Sequence, residues 1–252
     1  MKQLACLLFL SISFIAVKAQ QLFIPNGTII YEKKVNLQRS LADLGLSEEI
    51  REKMKKYKLS YWELSFNSTK SIYRPLKKEE EQLDFSVFGG VMDNENELYT
   101  NYQLDKRVIK KNIMGEDYLL NDTIPNIEWK IMHEIRNIAG YDCRKAIGVI
   151  NDSVYVVAFY TDEILLKGGP EGFTGLPGII LGLAIPRYFS TWFATKVTPY
   201  TEQSLTINPP PKGKKTETEK EFKKLMEIYS RNYDVQKQKP EELKKRLYGF
   251  VL

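Results

Sequence analysis

The sequence of 252 residues carries a net charge of +5, with 43% hydrophobic and 27% charged residues. These values are close to globular averages and exclude collagen-like, mucin-like and wholly disordered chains as well as polytopic membrane proteins. The positive charge is too small to indicate a nucleic-acid-binding stripe, and its local clusters at residues 212–215 and 237–246 favour a solvated surface, so we expect no nucleic-acid partner.

The N-terminal residues have the pattern of a secretory signal peptide. Lys2 supplies positive charge, residues 4–17 form an apolar run too short to span a membrane, and Ala19 is a small residue at the cleavage position. We predict a signal peptide over residues 1–19, a mature chain that begins at Gln20, and export to the periplasm or outer envelope. Because no later apolar run has spanning length, we expect no transmembrane segment in the mature chain.

Alternation of apolar and polar residues predicts strands along most of the chain that follows. The exception is a short amphipathic helix from Ser47 to Tyr57, which begins with a capping serine and two glutamates. On the clearest strand, residues 127–138, we expect Trp129 and Ile131 to be buried together. The predicted strands cover residues 27–35, 59–73, 98–104, 127–138, 141–150, 154–160, 179–185 and 188–197.

The C-terminal region has a different composition from the strand-rich part. Three consecutive prolines mark residues 208–215 as a linker, and Thr218 with Glu221 matches a helix capping box. We therefore predict a helical segment over residues 216–252. The predicted fold class is α+β, with a mainly antiparallel β-sheet core over residues 20–207, short helices, and C-terminal helices after the Pro-rich linker.

The residue types needed for common catalytic and metal sites are scarce. His133 is the single histidine, and Cys143 is the single cysteine after signal removal, so a zinc finger is excluded. We interpret His133 as a core-edge residue and Cys143 as a buried apolar residue. A thiolate–imidazole pair is the alternative if the two meet across paired strands. We predict no catalytic residues, no metal site and no cofactor.

The Gly-rich segment, residues 168–178, is the most unusual stretch of the sequence. It lacks the spacing of phosphate-binding loops, which favours a shaped loop between two strands over a ligand-binding or docking loop. Pro177 and Gly178 predict a tight turn with a positive φ at Gly178 and with Leu176 packed against the sheet. Gly178→Val should then destabilise the fold by about 1–3 kcal/mol through backbone strain. If the segment binds, its candidate residues are Gly169, Pro170, Phe173, Gly175, Leu176, Pro177 and Gly178.

Several stretches together resemble one family. Residues 138–146, residues 158–164 and the Gly-rich segment with its continuation to Ile180 are similar to the signature of the GLPGLI family, exported proteins of Gram-negative bacteria. The motif departs from the family pattern mildly, with Ile179 in place of Leu and Phe159 where Trp is expected. The resemblance implies an envelope location, and it supplies no reaction and no catalytic residues.

Three hypotheses about function follow from these patterns. The first is a non-enzymatic, exported envelope protein that binds a protein partner or an apolar ligand. The second is a hydrolase that uses carboxylates near the Gly-rich segment, such as Glu163 and Glu171. The third is a structural component of the envelope. A concave apolar surface beside the sheet would favour ligand binding, whereas a cleft holding both carboxylates would favour the hydrolase.

Overall fold

The computed structural model describes residues 24–40, 48, 52, 55–76, 96–113, 116–150, 153–200, 206–211, 213, 215–218 and 220. Within these residues the chain forms a twelve-stranded sheet. A single turn of α-helix, α1 (Leu37–Ser40), follows the first strand. The strands are β1 (Gly27–Asn36), β2 (Tyr57–Phe66), β3 (Lys70–Pro75), β4 (Glu97–Asn101), β5 (Lys106–Ile113), β6 (Glu116–Asp122), β7 (Trp129–Ile138), β8 (Tyr141–Ile150), β9 (Val154–Thr161), β10 (Ile179–Ile185), β11 (Ser190–Pro199) and β12 (Lys215–Glu217).

The sheet consists of a first meander, β1 to β6, and a second meander, β7 to β11, joined at its centre. Its strand order is β12-β6-β5-β4-β3-β2-β1-β11-β10-β9-β8-β7. Strand β1 pairs antiparallel with both β2 and β11, placing Ile29 between Leu64 and Val197. All other neighbours are also antiparallel except β12, which runs parallel to β6. The pairing of β1 with β11 therefore brings the segment between β9 and β10 close to the first meander.

The predicted α+β class is wrong, although the antiparallel sheet core is confirmed. The described chain is almost entirely sheet, and Lys215–Glu217 is a strand where a helical segment was predicted to begin. Strand β12 pairs with β6 and ends before Thr218, and Lys220, two residues after the capping threonine, is helical. The rest of the predicted C-terminal helical segment, beyond residue 220, lies outside the described residues. Of the predicted helix from Ser47 to Tyr57, Glu48 and Glu52 are helical, whereas its predicted end is wrong because Tyr57 is the first residue of β2.

Most predicted strands are confirmed with small shifts at their ends. The prediction of one strand over residues 59–73 is wrong, because β2 and β3 are separated by a turn. In that turn the Oδ1 atom of Asn67 accepts hydrogen bonds from the backbone N–H groups of Thr69 at 3.0 Å and Lys70 at 2.8 Å. Such turns are a usual role of asparagine side chains. Neither β5 nor its neighbour β6 is among the predicted strands.

The predicted burial of strand β7 is wrong. Ile131 is 47% exposed and Trp129 is only half-buried. Strand β7 ends the sheet, and its pairing with β8 shifts register between Ile131 and Ile135. A bulge on an edge strand changes the direction of the side chains beyond it, so simple alternation no longer predicts which face is covered. His133 lies within this irregular stretch and is exposed, which also corrects its interpretation as a core-edge residue.

Aromatic side chains from the first meander form the centre of one apolar cluster. The rings of Trp62 and Tyr73 stack with centroids 5.0 Å apart and planes 8° apart. Tyr31 packs edge-on against Tyr73, and its hydroxyl donates a 2.7 Å hydrogen bond to the carbonyl of Ile180. This bond connects β1 to β10 through the core. Burial raises the pKa of Tyr31 well above its ordinary value, so the hydroxyl remains a donor.

No helix among the described residues combines the length and the apolar character needed to cross a membrane.

Candidate functional site

The Gly-rich segment connects β9 to β10 and packs against the first meander. Its central part, Pro170–Gly172, is a tight turn closed by a 3.1 Å hydrogen bond from the Phe173 N–H to the Pro170 carbonyl, and it contacts β3, β4 and β10. The backbone N–H of Ile180 donates to the carbonyl of Gly168 at 2.8 Å, closing the segment at its base. The sequence prediction of a shaped loop between two strands is therefore confirmed.

Most of the seven candidate binding residues of this segment are inaccessible. Gly169, Pro170, Phe173, Leu176 and Gly178 are buried, and Gly175 and Pro177 are exposed. Leu176 is 1% exposed, so its predicted packing against the sheet is confirmed. These residues do not form an accessible binding surface together. Their burial favours a structural role for the motif.

The predicted positive φ at Gly178 is wrong. In the Gly-rich segment the glycines with a positive φ are Gly172, at +75°, and Gly175, at +95°. Gly178 is required for a different reason, because a Cβ atom there would overlap the backbone carbonyl of Thr161 on β9. The close approach follows from the pairing of Ile179 with Thr161, which brings two backbones together as β10 begins. A tight turn could be inferred from sequence, whereas this contact depends on the strand partner.

Trp129 attaches the edge strand β7 to the Gly-rich segment. Its indole N–H donates a 2.8 Å hydrogen bond to the carbonyl of Thr174. The ring edge also lies beside Gly175, since a Cβ atom there would be 3.2 Å from the indole nitrogen. The Gly-rich segment thus contacts the first meander on one side and β7 on the other.

Glu171 is the most constrained residue of the Gly-rich segment. It has left-handed backbone angles, φ 53° and ψ 19°, which are uncommon for a non-glycine residue. Its Oε1 atom accepts hydrogen bonds from the Lys33 ammonium at 3.1 Å and from the Trp192 indole N–H at 3.0 Å. The Glu171 side chain is 10% exposed and that of Lys33 is 18% exposed. Residues held in strained conformations by buried contacts concentrate at functional sites.

The Lys33 ammonium lies between two indole rings. Its nitrogen is 5.4 Å from the ring centroid of Trp62 and 5.1 Å from that of Trp192. Both distances are within the range of cation–π attraction. The ion pair with Glu171 therefore joins β1, β2 and β11 to the Gly-rich segment.

A cavity opens beside this ion pair. Its empty space, open solvent included, is about 380 Å³, and the part of it that a water-sized group can occupy is about 30 Å³. The apolar lining comes from the aromatic pair and two aliphatic side chains, and polar groups supply the rest. The lining residues are Trp62, Tyr73, Asn96, Leu98, Arg107, Ile109, Lys111 and Glu171.

The two carboxylates of the hydrolase hypothesis lie in different surroundings. Glu171 lines the cavity, and Glu163 is absent from its lining. Glu163 instead interacts electrostatically with Tyr141 and Cys143. This cavity therefore does not bring the two carboxylates together.

Cys143 is a free and fully buried thiol, as the sequence interpretation predicted. Burial, with a smaller contribution from the negative charge of Glu163, raises its pKa to about 12. A thiol with this pKa is protonated at neutral pH and is a poor nucleophile. Since His133 is exposed while Cys143 is buried, the alternative of a thiolate–imidazole pair loses its support. Within the described ranges, no cluster of three or more His, Cys, Asp or Glu side chains could hold a metal ion.

Neither the ion pair nor the cavity was predicted from the sequence. One available signal was Lys33, which continues the inward alternation of Ile29 and Tyr31 and therefore occupies a core-facing position. A lysine at such a position requires a buried partner. Its partner, Glu171, is 138 residues away, and no local pattern connects the two.

Comparison with known proteins supplies a partial family match. A family model described as "Protein of unknown function (Porph_ging)" matches residues 147–182, which include β9, the Gly-rich segment and the start of β10. The match is consistent with a GLPGLI-type family, and that name stays a prediction. No curated protein matches the chain.

Solved structures share the fold. "Structure of PNGF-II in P21 space group" matches with a TM-score of 0.52 and 18% identity over 80% of this chain and 33% of that chain. "Structure of PNGF-II in C2 space group" gives a TM-score of 0.52 and 17% identity over 79% of this chain and 32% of that chain. The chain thus spans about a third of the length of these structures. At this identity the likeness concerns the fold alone.

Proposed function

We propose that the chain is an exported, non-enzymatic protein of the bacterial envelope that binds a small, mainly apolar ligand. The observation that carries the proposal is the cavity beside the sheet, where Trp62, Tyr73, Leu98 and Ile109 supply apolar walls. Asn96, Arg107, Lys111 and Glu171 supply polar and charged groups, and concave sites that combine apolar walls with fixed polar groups are typical of ligand binding. The apolar run at residues 4–17 and the GLPGLI-type resemblance support the envelope location.

Binding can be tested with N-phenyl-1-naphthylamine, a neutral fluorescent probe with an apolar body. We expect saturable fluorescence enhancement at one probe per chain. Ile109 is 8% exposed and lines the cavity, so Ile109→Phe should fill part of the space and weaken binding about tenfold. The matched control is Leu59→Phe on β2, where the side chain is 50% exposed and outside the cavity lining.

Equal probe affinity in the wild type and Ile109→Phe, with both proteins folded by circular dichroism, would contradict binding in this cavity. A loss of affinity in Leu59→Phe of the same size would also contradict it. The fluorescence would then come from probe bound to apolar surface outside the cavity.

The envelope location has a separate test. Protein recovered from its native host should begin at Gln20 when its N-terminus is sequenced. Cleavage at this position is expected because Ala19 is a small residue that follows the apolar run. Recovery of the chain with Met1 intact would refute export, and it would leave the binding proposal unaffected.

A further inference from the structure

We propose that the outward face of the sheet docks on an anionic lipid surface through two rows of side chains. These rows cross the sheet from β2 to β7 and contain none of the residues that line the cavity. The inference therefore concerns a second surface and does not depend on ligand binding in the cavity.

Strand register places the first row on one face of the sheet. In an antiparallel pair, directly opposite residues lie on the same side of the sheet. Consecutive pairs from β2 to β8 link six residues in this way: Leu59, Lys34, Thr191, Ala184, Val157 and Ile147. Lys130 on β7 pairs with Ile147 and ends the row.

The adjacent row on the opposite face belongs to the core. It consists of Trp192, Leu183, Ala158 and Ala146, each of which is at most 2% exposed. In the first row every residue is exposed or half-buried. The first row therefore lies on the outward face of the sheet.

A second row, displaced by two residues along each strand, lies on the same face. Tyr155 on β9 pairs with Val149 on β8, and both side chains are exposed, Tyr155 to 64%. Tyr57 on β2 pairs with Asn36 on β1 and is also exposed. The outward face of an antiparallel sheet is usually polar, yet these two rows are mainly apolar and contain no described Asp or Glu. We call the two rows the outer band.

Positive side chains lie beside exposed aromatic rings at the β1–β2 end of the outer band. The Lys34 Nζ atom is 4.2 Å and the Lys56 Nζ atom 5.4 Å from the ring centroid of Tyr57. At the neighbouring turn before β11, the Arg39 guanidinium carbon is 5.8 Å from the ring centroid of the exposed Phe189. Aromatic rings together with lysine and arginine are typical of protein surfaces at a membrane–water interface.

The sign of the charge decides between the possible occupants of the outer band. A second copy would bring Lys34 and Lys130 against a band of the same charge, and like charges across an interface are costly. Residues 221–252 carry eight Lys or Arg and five Asp or Glu, so this part of the chain has the same sign. Glu32, in the next row on this face, accepts a 3.3 Å hydrogen bond from the Tyr61 hydroxyl. Anionic lipid headgroups complement the cations, and the interface beneath them accepts the apolar side chains.

Vesicle binding tests the proposal. Protein recovered from its native host is mixed with vesicles of pure phosphatidylcholine or of phosphatidylcholine and phosphatidylglycerol in equal parts, and the bound fraction is measured by sedimentation. We expect the wild type to bind the anionic vesicles about tenfold more tightly, and we expect high salt to weaken this binding. Any binding by the apolar run at residues 4–17 is common to all variants and cancels in their comparison.

The apolar contribution is measured with Val149→Thr/Tyr155→Thr, which replaces one exposed cross-strand pair by a residue suited to strands. This variant should bind the anionic vesicles about fivefold more weakly, since less apolar surface enters the lipid interface. The matched control is Leu104→Thr/Leu165→Thr, which changes two side chains outside the outer band that are 63% and 55% exposed. The control should leave the binding unchanged.

The electrostatic contribution is measured with Lys34→Gln/Lys130→Gln. This variant should bind the anionic vesicles about tenfold more weakly, because it removes two charges next to the lipid surface, and its binding to neutral vesicles should not change. The matched control is Lys106→Gln/Lys167→Gln, which makes the same change in net charge at exposed lysines outside the outer band. It should have a much smaller effect, and circular dichroism verifies that all variants are folded.

The outcomes distinguish this proposal from its rivals. Equal binding of the wild type to neutral and anionic vesicles, or binding to neither, would overturn it. Losses of the same size in the outer-band variants and in their controls would also overturn it, because binding would then depend on overall composition. A wild-type dimer in analytical ultracentrifugation that becomes monomeric in Val149→Thr/Tyr155→Thr would assign the outer band to a second copy instead. Probe binding in the cavity is tested separately with Ile109→Phe.

Discussion

Gly178→Ala is expected to destabilise the protein by about 3 kcal/mol or more, a large effect for a single methyl group. The new Cβ atom would overlap the Thr161 carbonyl oxygen and lie 2.7 Å from the carbonyl carbon and 2.9 Å from Asp162 Cα. All three are backbone atoms, so no side-chain rotation can relieve the contact. The pairing of β9 with β10 would have to separate at its first residues. Equilibrium unfolding in urea, monitored by tryptophan fluorescence, gives the change in unfolding free energy.

Gly140→Ala is the matched control, because it separates conformational strain from steric overlap. Gly140 has a φ of +91°, and an added Cβ atom would meet nothing within 4 Å. This variant should therefore cost only about 1–2 kcal/mol, the penalty of a left-handed alanine. A Gly178→Ala protein as stable as Gly140→Ala would show that the β9–β10 contact relaxes easily and that the motif glycine has another purpose.

Lys33→Met is expected to cost about 2–4 kcal/mol of unfolding free energy, because it leaves the nearly buried Glu171 carboxylate without its counter-charge. Methionine keeps the apolar length of the side chain between Trp62 and Trp192. The loss of unfolding free energy therefore measures the effect of removing the charge and not that of removing packing. The Trp192 indole N–H would remain as the single described donor to Glu171. Urea unfolding again supplies the measurement.

The double variant Lys33→Met/Glu171→Gln should recover a substantial part of this loss, since it removes the isolated charge as well. Lys145→Met is the surface control. It breaks a 2.6 Å ion pair with Glu134, in which the side chains are 26% and 55% exposed, and it should cost at most about 1 kcal/mol. If Lys33→Met costs no more than Lys145→Met, the ion pair does not hold the Gly-rich segment in place.

The local predictions succeeded where strand patterning was simple. Strand β10 has the predicted bounds, 179–185, because it is a continuous apolar run that begins directly after a Gly-Pro-rich segment. Leu176 is buried as predicted, since a single apolar side chain in a loop of glycines and prolines is expected to pack against the sheet. The burial of side chains on the edge strand β7 was predicted wrongly. Alternation predicts burial only when one face of a strand is covered along its length, and a terminal strand with a bulge lacks such a face.

Local sequence patterns were enough to predict the antiparallel sheet, most of its strands, the loop between β9 and β10, and a buried, unreactive Cys143. These properties depend on neighbours in the chain: alternation, β-branched residues, turn residues, and the scarcity of His and Cys. Three further features are visible only in the folded chain: which strands are neighbours, why Gly178 is a glycine, and that Lys33 meets Glu171 beside a cavity. Each of these depends on contacts between residues far apart in sequence. Such contacts form only when β1 pairs with β11 and brings the two meanders together.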